Sequence, residues 1–165
     1  DAEVRARAEI VHARRRALWA SIFAACPETL FVVAAGNSNR DVVEYGDVSA
    51  SIEAPNLLVV GAVDRFGNWA TFTNSSPDRV RLFDFGVEVD SVIPSGEHVP
   101  LSGTSMASPN AANLAAKILS VAPALEPASV VSIMLETGDP IAPPFSGVIA
   151  NEAAAIARAR LGTTR

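Results

Sequence analysis

Two short apolar runs rich in β-branched residues constrain this chain more than anything else in it: FVVAA at 31–35 and LLVVGAV at 57–63. Neither alternates between apolar and polar positions, so each predicts a strand covered on both faces, as strands of a parallel sheet are. A long polar connection, 38–55, separates them, which suits an α/β sheet better than a meander of hairpins. Both runs fall far short of the roughly 20 residues that a membrane helix requires.

Helical patterns surround these strands. The first 25 residues contain no Gly or Pro, and Val11, Leu18 and Ile22 recur at helical spacing, which predicts a helix ending near Cys26-Pro27. A helix rich in small residues is expected over 104–121. Another is expected to start at Pro127, with Val130, Val131, Met134 and Leu135 on one face and Gly138 as its stop. A last helix is expected over 151–160, capped by Asn151. Residues 68–73 and 87–93 read as shorter strands. The expectation is one α/β domain with a mostly parallel sheet flanked by helices.

Composition narrows the function classes. With 49% apolar and 19% charged residues, the chain reads as soluble and globular. Eighteen acidic against thirteen basic residues give a net charge of −5, which argues against a nucleic-acid partner, because phosphate binding needs clustered positive charge. The one basic cluster, Arg14-Arg15-Arg16, reads as a solvated helix face. The charged opening shows no signal-peptide pattern. The single cysteine, Cys26, lacks metal-ligand neighbours at zinc-site spacing and is expected to be a small buried hydrophobe.

Chemistry is concentrated in LSGTSMASP, residues 101–109. Gly103 is expected to permit a sharp turn, leaving Ser105 at the N-terminal end of a helix, where unpaired N–H groups and the dipole favour developing negative charge. Ala107, Ser108, Ala111 and Ala112 would let that helix approach its neighbours closely. Read alone, the segment is more often an ordinary capping turn than an active site. A second motif, Ala34-Ala35-Gly36-Asn37, puts an amide just beyond the C-terminal end of a buried strand, where α/β sheets hold their ligands. Read alone, it too is a turn.

Taken in order, AAGN at 34–37, PNLLVVGAVD at 55–64 and SGTSMASP at 102–109 resemble the subtilisin-like serine peptidases, the subtilases. The likeness continues through ATFTNSS at 70–76, FDFGVEVDS at 83–91 and GVIANEAAAIARA at 147–159. The resemblance implies a three-layer subtilisin-like α/β fold, of which this chain would be the C-terminal part. It also implies a polypeptide substrate, Ser105 as nucleophile, Asn37 as oxyanion donor and substrate contacts at Ala35 and Gly36. No cofactor is implied with certainty; the resemblance allows structural calcium and favours an extracytoplasmic location. Asn110 and Asn113 depart from the histidine and glycine that many relatives carry, and loop 38–54 lacks the usual pattern near the specificity pocket.

A serine nucleophile needs a base, usually a histidine oriented by a carboxylate. Only His12 and His98 are present, neither in the family's histidine context. No histidine follows Ser105, which excludes the Ser, acid, His order of α/β-hydrolases and leaves the Asp, His, Ser order of subtilisin. The acid and base are therefore expected upstream, in a missing N-terminal half of the same domain. The chain alone is expected to be inactive and to associate through an uncovered sheet edge. Two other readings stay open: a sedolisin-type peptidase with acidic catalytic groups, and a noncatalytic binding module on the same fold.

Overall fold

The computed structural model describes residues 2–162. Helix α1 (Ala2–Ala25) leads into strand β1 (Phe31–Ala34), and β2 (Leu57–Val63) and β3 (Val80–Phe85) follow. A hairpin, β4 (Val89–Val92) and β5 (His98–Leu101), precedes α2 (Thr104–Val121) and α3 (Pro127–Thr137). The two-residue strands β6 (Asp139–Pro140) and β7 (Val148–Ile149) and helix α4 (Glu152–Gly162) complete the described chain. The main sheet runs β1-β2-β3-β7-β6, parallel throughout except where β6 pairs antiparallel with β7.

The centre of that sheet explains the run that dominates the sequence. All seven residues of β2 are buried. Leu58, Val60 and Ala62 turn to one face, into a core with Ala107, Ala111, Leu114 and Ile118 of α2 and with Val130, Ile133 and Met134 of α3. Leu57, Val59 and Val63 turn to the other, onto Phe23, Val42, Ile52, Val80 and Phe83. Each Val, Leu, Ile, Met or Phe among them removed from water contributes about 1.5–3 kcal/mol, so a polar residue on either face would be costly. The mixed α/β architecture with a mostly parallel sheet is the expected one.

The two flanks are covered unequally. Helices α2, α3 and α4 close one face, whereas α1 contributes one buried side chain, Phe23, to the other. Val4, Ile10, Val11, Leu18 and Trp19 stay exposed along α1, and β1 is the outer strand of the sheet. Arg14, Arg15 and Arg16 are exposed, as a solvated face requires. Cys26 is exposed rather than buried, because it stands just past the end of α1 in the turn to β1. That turn is held by Asn56, whose Nδ2 lies 2.9–3.1 Å from the carbonyl oxygens of Phe23, Cys26 and Thr29.

Two further expectations are corrected, and one strand is added. Residues 68–73 form no strand: after one bridge between Trp69 and Val63, the chain turns across the end of β2. Strand β3 has no counterpart in the expected elements, because Arg81 and Asp84 break the apolar run that would have marked it. Ala112 is exposed, so Ala107 and Ala111 form the close-packing side of α2.

Asp84 is an unusual occupant of a parallel strand. It is 7% exposed, at the rim of a cavity of about 240 Å³ lined also by Asn110, Asn113 and Glu152. Burial raises its carboxyl from 3.8 to about 6, the Phe85 N–H pulling it back down and the Glu152 charge adding to the rise. An acid raised in this way is neutral in both folded and unfolded chains below about pH 4 and costs nothing there. Between about pH 4 and 6 the fold must begin to carry the buried charge, and above pH 6 it is destabilised by about 2–3 kcal/mol. Asp84→Asn is therefore expected to gain stability relative to the parent at pH 8 but not at pH 4, read as the difference in urea midpoint. An equal difference at both pH values would show that the carboxyl is not strained.

Candidate active site

The site is built where the ends of β1 and α2 meet. Gly103 precedes α2 in extended backbone, so it does not serve the sharp turn expected of it. Its lack of a side chain serves proximity instead: a Cβ there would stand 3.2 Å from Asn37 Nδ2. Ser105 is the second residue of α2 and is exposed. The first N–H groups of a helix have no partner within it. That of Thr104 is taken by Asn37 Oδ1 at 2.9 Å, whereas no such bond takes that of Ser105 among the described residues.

Asn37 lies just past β1, exposed, with its amide fixed at one end. Its Oδ1 accepts from both the N–H and the hydroxyl of Thr104, each at 2.9 Å. With the oxygen committed, the amide turns its Nδ2 toward the Gly103 side, as a pure donor. Thr104 is fully buried, and its hydroxyl also accepts from the Gly36 N–H at 3.0 Å. One threonine thus joins the turn that carries Asn37 to the helix that carries Ser105. Sequence reasoning passed over it, since its partners lie 67 and 68 positions away.

Ala35 is fully buried, its N–H bonded to Val60 O and its carbonyl to Asn74 Nδ2. Gly36 is half-buried, with its N–H on Thr104 and its carbonyl on the Asn74 N–H. Asn110 replaces packing with a hydrogen bond, donating to Phe85 O at 3.0 Å and tying α2 to the end of β3. Asn113 is exposed, where its side chain meets no packing limit.

Neither histidine joins Ser105 by a hydrogen bond. His12 is exposed on α1, and His98 on β5 pairs with Asp90 at 3.0 Å in an exposed hairpin. No group of three or more His, Cys, Asp or Glu side chains that could hold a metal ion occurs among the described residues, which do not fit a carboxylate-rich calcium site. No described helix is long and apolar enough to cross a membrane.

Comparison with known proteins finds relatives of one family. The subtilisin DY of Bacillus licheniformis is 35% identical over 127 residues, 75% of this chain and 46% of that protein. The subtilisin-like proteinase Mp1 of Magnaporthiopsis poae is 42% identical over 88 residues, 52% of this chain and 20% of that protein. Among solved structures, the self-cleaved protease domain of PatA superposes with a TM-score of 0.70 at 25% identity, covering 86% of this chain and 53% of that one. The chain thus spans less than half the length of these two curated relatives. The sequence profile of the subtilase family matches residues 7–146, and by that match and the fold the chain belongs to the subtilase family.

Proposed function

We propose that this chain is the C-terminal part of a serine endopeptidase domain that cleaves polypeptides through an acyl-enzyme on Ser105. The observation that carries the reading is the asymmetric tether of Asn37: its oxygen is held by Thr104, so its Nδ2 is free to donate beside an open helix N–H. Ser105 Oγ attacks the peptide carbonyl while a base takes its proton. The carbonyl oxygen becomes an oxyanion, received by Asn37 Nδ2 and the Ser105 N–H. Collapse expels the amine, which takes that proton, and water then hydrolyses the ester.

The base and its orienting acid lie outside these residues, in the N-terminal half of the domain. That half is also the partner that would cover the exposed apolar residues of α1 and the outer edge of β1. Ala35 and Gly36 are the proposed substrate-contacting segment, beside Asn37 at the end of β1. An extracytoplasmic site suits a peptidase of this kind.

The test is the pH profile of peptide turnover by the complete protein, with Ser105→Ala as control. Ser105-dependent turnover that falls as pH drops through about 6.5 is expected for a histidine base. A maximum in acid would indicate carboxyl catalysis of the sedolisin type, and turnover equal to the control would indicate a noncatalytic module.

A further inference from the structure

We propose that Asn74 is a positioning residue of the oxyanion hole, holding the turn that aims Asn37. The proposal rests on the roles given above to Asn37 and Ser105. Asn74 lies between β2 and β3, 4% exposed, and makes four hydrogen bonds to the turn after β1. Its Nδ2 donates to Ala35 O at 2.9 Å, and its Oδ1 accepts from the N–H groups of Ser38 at 2.9 Å and Arg40 at 3.1 Å. Its own N–H donates to Gly36 O at 2.8 Å. These contacts bracket Asn37 on both sides without touching it.

The fit is close enough to dictate a neighbour. Gly36 has φ +99°, which L side chains rarely adopt, and a Cβ there would stand 2.5 Å from Asn74 Nδ2. Thr104 fixes only the amide oxygen of Asn37, and an amide held at one atom can still swing with its backbone. Asn74 fixes that backbone, so the two clamps together define where Asn37 Nδ2 points. An amide does this from two separate atoms, Nδ2 donating to the Ala35 carbonyl while Oδ1 accepts from the N–H groups of Ser38 and Arg40. Aspartate keeps the acceptor half, loses the donor, and sets a negative oxygen against Ala35 O.

The test uses the complete protein with Asn74→Asp, Asn37→Ala and the double variant; Asn74→Ser serves if the aspartate fails to fold. If Asn74 acts through Asn37, Asn74→Asp lowers kcat about ten- to a hundredfold with little change in KM, the penalty of a small misplacement. In the Asn37→Ala background the further loss shrinks to about threefold or less, because the aimed group is gone. In asparagine-labelled protein, the side-chain amide resonance of Asn37 moves or broadens while that of Asn56, in the turn after α1, stays in place. Additive losses, or an unmoved Asn37 resonance, overturn the proposal. Absence of Ser105-dependent turnover in the unmutated protein sinks the peptidase reading instead, and the Asn37 resonance then decides the role of Asn74 by itself.

Discussion

Purified alone, the 165-residue chain is expected to cleave a chromogenic peptide no faster than its Ser105→Ala variant. A serine hydroxyl is a weak nucleophile at neutral pH, and its power comes from the base that takes its proton. His98 is engaged with Asp90 on an exposed hairpin, and His12 is exposed on α1. In subtilisin itself, losing the histidine or the serine alone costs about as much as losing all three triad members, about 2 × 10⁶ in kcat. That magnitude is carried over from subtilisin. The helix N-terminus and Asn37 remain, but in the proposed role they would stabilise an oxyanion that forms too rarely to matter. A fluorophosphonate probe reads the same point with greater sensitivity. Labelling of Ser105 above the variant's background would mean that the chain supplies its own base, with His98 the first residue to replace.

Replacing Asn37 by alanine in the complete protein is expected to lower kcat by about 10²–10³ and to leave KM nearly unchanged. The magnitude is that of losing the oxyanion-hole asparagine of subtilisin, the role proposed here for Asn37. The physical reason is that the amide meets charge that exists only in the transition state, so substrate binding does not sense it. The variant also frees Thr104: its buried N–H and hydroxyl lose the oxygen they share, so some loss of thermal stability accompanies the loss of rate. A drop in stability with kcat intact would show Asn37 to be a strut for Thr104 and not an oxyanion donor.

What the sequence made legible is local, or carried by a recurring motif. The double-sided burial of β2 follows from seven apolar or small residues in a row, and α2 and α3 begin where Thr104 and Pro127 mark them. Asn151 caps α4 as expected, accepting from the Ala154 N–H at 3.0 Å. Strand β3 was hidden because one of its polar residues, Asp84, is buried against the usual preference, and its strain surfaces only as a raised carboxyl.

The candidate site divides in the same way. Ser105 and Asn37 stand in short motifs, whereas Thr104 and Asn74 matter through hydrogen bonds to residues 34–68 positions away, which no window of sequence displays. The stripe of Val11 and Leu18 on α1 illustrates a different limit. The helical period there matches α1, but both residues are exposed in this chain, since period announces a face without naming what covers it.

The most direct measurement treats the complete protein with a peptidyl phosphonate and locates the adduct by mass spectrometry. A single adduct on Ser105, absent from Ser105→Ala and slowed by Asn37→Ala, is the predicted result. Peptide turnover that persists while Ser105 stays unmodified, or an adduct on another residue, would contradict the account.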